Sequence, residues 1–223
     1  MSRRNNHSEM RAMWTRLLQN TLAIAGVLAV AGCASGGGAG SSAGTYVPHT
    51  NPTVTTGGSW AGEPSGPHIN VSLAERKLYL KDGSNVVSVY SVGVGKEGYA
   101  TPQGDYTVQR VVWNPPWTPP NAEWAADKQP EPPGSRDNPM KVVKIYFQEP
   151  DYYIHGTGSV GSLGGAVSHG CLRMAPSDAA ALARSLMQFG GASRDASWFQ
   201  QVANSNETQT VMLSTGVPMH VAP

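Results

Sequence analysis

The chain has 223 residues, carries a formal net charge of +1, and is only 14% charged, against roughly 25% for an ordinary soluble protein. Its 26 glycines and 17 prolines exclude a coiled coil or helical bundle and favour many turns between short strands, while 39% apolar residues are enough for a core. Four of the basic residues (Arg3, Arg4, Arg11, Arg16) lie in the first 32 positions with one acid (Glu9), which leaves 12 basic and 14 acidic residues scattered over the remainder; that is no electrostatic footprint for nucleic acid.

Residues 1–32 read as an export signal. A basic region ends at Arg16, and an apolar run from Leu22 to Val30 follows, too short to span a bilayer stably by itself. It closes in Val30-Ala31-Gly32-Cys33, which resembles a bacterial lipobox. The resemblance implies cleavage before Cys33 and thioether attachment of diacylglycerol to it, and two or three acyl chains at about 0.8 kcal/mol per buried CH₂ make a durable anchor. An ordinary signal peptide with a chance cysteine is the alternative. The expected location is the cell envelope, facing the periplasm, with Ala34 after the cysteine favouring the outer over the inner membrane. Cys33 and Cys171 are the two cysteines, so a disulfide framework is excluded.

Residues 33–66 form the lipidated cysteine and a flexible linker: 22 of the 33 residues from 34 to 66 are Gly, Ser, Thr or Pro, and such a coil spans roughly 30 Å. Trp60 is out of character there and is expected to touch the domain that follows. Residues 67–223 are the folded domain. Ile69, Val71 and Leu73 alternate as in a half-buried strand; Lys77–Leu80 follows, then an Asp82-Gly83 hairpin turn and a β-branched strand from Val86 to Val94. Further strands are predicted at Asp105–Val112, Val142–Phe147, Tyr152–His155, Thr210–Leu213 and Val217–Val221. One helix is clear, with Ser177 as N-cap, Leu182, Leu186 and Phe189 on one face, and Gly190-Gly191 as its stop. A second, short helix is expected around Trp198–Val202. Between strands, residues 114–139 hold eight prolines with Trp117 and Trp124, a long loop expected to wall a groove. The fold class is mainly β, with one or two packed helices.

Two segments carry the chemistry: Tyr153-Ile-His155-Gly156-Thr157 and Ser168-His169-Gly170-Cys171-Leu-Arg173-Met174. A thiol with a pKa of about 8.5 is only about 3% ionised at pH 7, and pairing with an imidazole activates it as a nucleophile for acyl transfer. The flanking glycines let backbone approach a substrate, and N–H groups around Gly170 and Cys171 are candidate oxyanion donors. The planar fork of Arg173 suits a carboxylate. Taken singly, a cysteine is most often a small buried hydrophobe and a histidine a structural residue. His155, His169 and Cys171 as zinc ligands are disfavoured by the glycine-rich spacing, and no metal or cofactor is expected.

The pair of segments resembles the L,D-transpeptidase catalytic domain (YkuD-type) of bacterial cell-wall enzymes. Thr101-Pro-Gln-Gly-Asp-Tyr106, Asn114-Pro-Pro-Trp117, Asn138-Pro139-Met140, Leu163-Gly-Gly-Ala-Val167 and Val217-Pro-Met219 resemble other segments of that family, so the likeness runs over about residues 67–221. It implies a β-sandwich-like fold, Cys171 as nucleophile, and His155 as proton acceptor and donor, oriented by the Gly156 carbonyl. Ser168, His169 and Gly170 would shape the oxyanion and acceptor region, and Arg173 and Trp117 would contact substrate. Lys141 departs from the family pattern, which carries Gly after N-P-L. The implied reaction is attack by Cys171 on the stem tetrapeptide, release of D-Ala, and transfer of the acyl group to an amine. A neighbouring stem as acceptor gives a 3-3 cross-link, and a lysine of an envelope lipoprotein gives an anchored protein. Water as acceptor would make an L,D-carboxypeptidase; a non-catalytic wall-binding lipoprotein is the reading from another class.

Overall fold

The computed structural model describes Trp60 and residues 62–223; the export signal, Cys33 and most of the expected linker lie outside the described residues. Ten strands and two helices follow in order: β1 (Pro67–Ser72), β2 (Lys77–Asp82), β3 (Asn85–Ser91), β4 (Val94–Gly95), β5 (Gly104–Trp113), β6 (Lys141–Gln148), β7 (Tyr152–Gly156), β8 (Ala166–Ser168), β9 (Leu172–Met174), α1 (Pro176–Phe189), α2 (Ala196–Ala203) and β10 (Gln209–Ala222). Eight strands form one mixed sheet in the order β3-β2-β1-β10-β5-β6-β7-β9, and β4 and β8 make a small parallel pair. The fold is mainly β with two packed helices, as expected.

Alternation decides which face each strand buries. Val111 and Trp113 on β5, Val143, Ile145 and Phe147 on β6, Ile154 on β7, and Leu172 and Met174 on β9 all enter one core cluster. α1 packs on this face against β6, β7 and β10, burying Ala179, Leu182, Ala183, Leu186 and Met187. The residues between them, Arg110 and Val112, Lys144 and Tyr146, Tyr153 and His155, and Arg173, have the opposite parity and line a groove on the other face. One side of the sheet is therefore core, and the other is the floor of the site.

Several local expectations change. Ser177 is not the N-cap: Pro176 takes the first helical position and Ala175 the cap, without a side-chain cap bond, because the fixed φ and missing N–H of proline suit that position. The strand expected from Val86 to Val94 ends at Ser91, and Val94–Gly95 pairs instead with β8. The two closing strands are one, β10, with a register shift between Met212 and Val217.

The Pro- and Trp-rich stretch is an ordered loop. Trp117 pairs through its backbone with Glu131, with N···O distances of 2.9 and 2.8 Å, and Glu123–Ala125 makes one 3-10 turn. Asn138, 1% exposed, holds the loop together: its amide donates to the carbonyls of Pro115 and Pro132 while its oxygen accepts from the Met140 N–H. Asn114 donates to the carbonyls of Val202 and Ser205 at 2.8 Å each, tying the start of the loop to the end of α2.

Two residues from the stretch expected to be linker contact the sheet. The Trp60 ring stacks on His220 at 5.0 Å between centroids. Glu63 Oε1 accepts from Lys81 Nζ, from Asn70 Nδ2 at 3.0 Å and faces His68 Nε2 at 3.0 Å, while His68 and Lys81 are 0% and 4% exposed. The Lys81 hydrogen bond, chiefly, holds the Glu63 carboxyl below its ordinary range. Glu63→Ala should destabilise the domain by roughly 1–3 kcal/mol, because it leaves buried donors without an acceptor. A lowered carboxyl stabilises above its unfolded pKa and loses that contribution as pH falls through its folded one. The difference in urea midpoint between variant and wild type should therefore shrink as the solution is taken from pH 7 towards pH 3; a difference independent of pH would refute the assignment.

Candidate active site

β7 and β9 run parallel, with Ile154 opposite Leu172, His155 opposite Arg173 and Gly156 opposite Met174. This pairing brings the two chemistry-bearing segments together at one end of the sheet. The strands β8 and β9 that flank Ser168-His-Gly-Cys171 are three residues each, too short to show a period in sequence, and for that reason they were not predicted.

His155 is buried, at 3% exposure. Its Nδ1 lies 2.9 Å from the Gly156 carbonyl oxygen; a carbonyl only accepts, so Nδ1 carries the proton and Nε2 keeps its lone pair. Burial, chiefly, pushes its pKa down to about 4; the Arg173 and Lys144 charges push the same way, and the carbonyls of Gly156 and Pro139 oppose them. The imidazole is therefore neutral at pH 7 and able to accept a proton.

Cys171 is half-buried, and its Sγ donates to the Asp151 carbonyl at 3.3 Å. Among the described residues no hydrogen bond joins this sulfur to His155. Burial raises the thiol pKa, opposed by the Tyr153 N–H and hydroxyl and by the charges of Lys144 and Arg173. Burial disfavours charge on both groups, and the resting pair is thiol and neutral imidazole.

The turn carrying Cys171 is closed by Ser168, whose Oγ donates to the Cys171 carbonyl at 2.6 Å and accepts from the Gly170 N–H at 3.1 Å. Ser168, 1% exposed, thus shapes the loop rather than facing solvent. It also occupies the Gly170 N–H, which the sequence reading offered as an oxyanion donor. Gly170 adopts φ +110°, and a Cβ there would lie 2.6 Å from Tyr152 Cε1. At Gly156 a Cβ would lie 2.3 Å from the Lys141 carbonyl oxygen. Both glycines are required by close approach.

The loop roofs the site through aromatic contact. Trp124 stacks on the His169 ring at 3.9 Å and 7° between planes, and Tyr99 meets the same ring edge-on at 4.6 Å. Burial, then Lys96 and Arg173, lower the His169 pKa. Trp117 is 8% exposed and also lines the groove; Trp124, which carried no assigned role in sequence, makes the contact to the Ser168–Cys171 turn. Lys141 Nζ donates to the carbonyls of Arg136 at 2.9 Å and Ser135 at 3.2 Å, so this departure from the family pattern fastens the other end of the loop. Arg173 is half-buried in the groove wall, with burial lowering its pKa and the Cys171 charge raising it. His155, His169 and Cys171 do not converge as metal ligands, and no group of three or more metal-ligating side chains occurs among the described residues.

The groove measures about 1590 Å³ and is lined by seven lysines and arginines against two aspartates, Asp137 and Asp151. The trough is open and cationic, and it holds a thiol, a neutral buried imidazole and a guanidinium that belongs to no ion pair among the described residues. The chain belongs to the L,D-transpeptidase catalytic domain family (YkuD), whose model matches residues 66–204. Among curated proteins it is 38% identical over 118 residues to the probable L,D-transpeptidase YbiS of Escherichia coli K12, covering 49% of this chain and 38% of that protein. It is 39% identical over 118 residues to the probable L,D-transpeptidase ErfK/SrfK of the same organism, with the same coverage. The chain thus spans under half the length of these relatives. Among solved structures, an L,D-transpeptidase from Mycobacterium smegmatis aligns with a TM-score of 0.45 at 19% identity, covering 70% of this chain and 58% of that one.

Gly170→Ala should cost roughly 1–3 kcal/mol of stability from the left-handed backbone alone and should misplace Cys171. Thermal unfolding together with the rate of Cys171 alkylation checks this; wild-type values of both would show that the turn tolerates a side chain.

Proposed function

We propose that this chain is a peptidoglycan L,D-transpeptidase that uses Cys171 as nucleophile and His155 as general base and acid. The observation that carries the reading is the placement of a neutral, buried imidazole on β7 and a half-buried thiol on the turn that enters the adjacent parallel strand β9, both lining one groove. His155 Nε2 takes the thiol proton as Sγ adds to the carbonyl carbon between the third stem residue and D-Ala. Collapse breaks the C–N bond, the imidazolium returns the proton to the leaving amine, and a thioester remains on Cys171. An acceptor amine then adds to the thioester, gives its proton to His155, and expels the thiolate as the new amide forms.

The Gly156 and Pro139 carbonyls favour the protonated ring, which suits the imidazolium formed between these steps. Cationic walls suit stem peptides, which carry several carboxylates, and the guanidinium of Arg173 is the candidate for one of them. The sequence Val30-Ala-Gly-Cys33 supports a lipid anchor at Cys33, with the domain facing the periplasm. The acceptor is a neighbouring stem or a lysine of an envelope lipoprotein.

The full chain incubated with a disaccharide tetrapeptide tests the reading by mass spectrometry. A dimer lacking one D-Ala is the expected product; a tripeptide with free D-Ala would instead make the chain a carboxypeptidase. Cys171→Ser and His155→Ala should each lower turnover by at least about 10³-fold, and retained turnover in Cys171→Ser would remove the nucleophile assignment. The base works only while neutral, so kcat/KM should hold from pH 7 down to about pH 5 and fall towards pH 4, following the lowered His155 value. An acid limb near pH 6.5 would mean that His155 is not held as described.

A further inference from the structure

Lys144 is 8% exposed and belongs to no ion pair among the described residues, where Glu63 pairs with His68 and Lys81, Asp105 with His220, Asp127 with Lys128 and Glu149 with Arg110. The contrast with Lys81 is informative: that lysine is equally buried but has the Glu63 carboxylate. An ammonium taken out of water without an anion is costly. Lys144 Nζ has one hydrogen-bond acceptor, the Pro116 carbonyl at 3.2 Å, and lies 4.7 Å from the centroid of the Tyr153 ring.

The backbone is distorted to put it there. Lys141 is opposite Gly156 but Lys144 is opposite His155, so β6 carries two residues, Val142 and Val143, that β7 does not match. Val142 sits at φ +67°, a left-handed conformation that is unfavourable for a β-branched residue. Bulges of this kind re-aim side chains beside active sites. The bulge sets Lys144, His155 and Arg173 in one cross-strand row over β6, β7 and β9.

We propose that Lys144 is a positioning residue for the acyl-transfer chemistry: its buried ammonium is the charge against which the Cys171 thiolate forms. This rests on the reading of Cys171 as nucleophile. No carboxylate answers the ammonium in the resting site, and the anion that arises beside it during turnover is the sulfur. The charged and titratable groups facing Lys144 are Arg110 from β5, Tyr153 and His155 from β7, and Cys171 from the turn before β9, with Arg173 beyond His155 in the same row. Arg110 is already engaged by Glu149 and stacked on Tyr146 at 3.8 Å. The His155 ring is neutral, so the cations left for the sulfur are Lys144 and Arg173. Burial, chiefly, lowers the Lys144 pKa to about 8, with the thiolate charge opposing. The ammonium is thus present at neutral pH and starts to be lost just above it.

The test is the rate of iodoacetamide labelling at Cys171 in the full chain at pH 7, where the ammonium is present, followed on the Cys171 peptide by mass spectrometry so that Cys33 does not contribute. Lys144→Met and Lys144→Gln should slow labelling at pH 7 about tenfold, through the smaller thiolate fraction. Lys144→Arg should keep the wild-type rate or exceed it. Lys144→Gln retains a donor for the Pro116 carbonyl, so it serves should Lys144→Met fail to fold, and circular dichroism checks both. An unchanged labelling rate at pH 7 in the neutral variants overturns the proposal. So does a loss confined to KM for a tetrapeptide substrate, which would make Lys144 a substrate contact. Labelling reports on the sulfur without a substrate, so failure here is distinct from failure of the nucleophile assignment, which retained turnover in Cys171→Ser would show.

Discussion

The site depends on a row of three nitrogen bases, Lys144, His155 and Arg173, held side by side across three strands with no carboxylate among them. Three like charges in a buried row would repel one another, and the row resolves this by keeping its middle member neutral. The imidazole sits between an ammonium and a guanidinium, both of which disfavour its protonation, and burial adds to their effect. A histidine at its unperturbed pKa near 6.5 would be partly charged in mildly acidic surroundings and unable to act as a base. Here the neighbours secure the basic form, and the Gly156 carbonyl fixes which nitrogen is free. The same cations favour the anionic form of Cys171. One arrangement of cations therefore pushes the imidazole towards neutrality and the sulfur towards charge.

Such a row needs a rigid support, and the alternation of the sheet supplies it. Each of β6, β7 and β9 presents one parity to α1 and the core and the other to the groove. Ile145, Ile154 and Leu172, each fully buried, lock the strands from behind, so a groove residue cannot slip by one position without exchanging core for solvent. Cys171 lies just outside this framework, on the turn before β9, and is held by short-range devices instead: the two Ser168 hydrogen bonds, the close approach of Gly170 to Tyr152, and the His169–Trp124 stack. The loop that supplies Trp124 is fastened to the scaffold by Asn114, Asn138 and Lys141, so the roof and the turn beneath it are positioned together.

Much of this was legible in the sequence because it is local. The alternation of Ile69 and Val71, the apolar stripe Leu182–Leu186–Phe189, and the two segments around His155 and Cys171 each carry their meaning within a few residues. What escaped was set by pairing across strands. Lys144 interrupts an apolar run and reads as the solvent-facing position of a half-buried strand; only the bulge at Val142 and the cover of the Pro116 segment make that position buried and cationic. Trp117 and Trp124 look equivalent in composition, yet backbone pairing with Glu131 buries the first and leaves the second to meet His169. Ser177 looked like a cap because cap preference was read without the stronger positional preference of Pro176. The thiol was expected to be ionised by its imidazole, an inference from residue identity that ignores burial, which opposes charge on both groups.

The neutrality of the resting pair also bears on how the site tolerates its surroundings. A permanently ionised thiolate would be open to oxidants, since oxidation follows thiolate character and accessibility. Burial holds Cys171 largely as thiol, hydrogen-bonded to the Asp151 carbonyl, while the imidazole waits in its basic form. Charge separation between the sulfur and the ring is supported by groups already in place: Lys144 and Arg173 for the sulfur, the carbonyls of Gly156 and Pro139 for the ring. Preorganised charges of this kind need no reorganisation at the moment of reaction. The cost is carried in the resting fold instead, as a buried lysine without a counterion and a valine in the left-handed region. Both lie within the same bulge of β6, which is where strain maintained for function would be expected to concentrate.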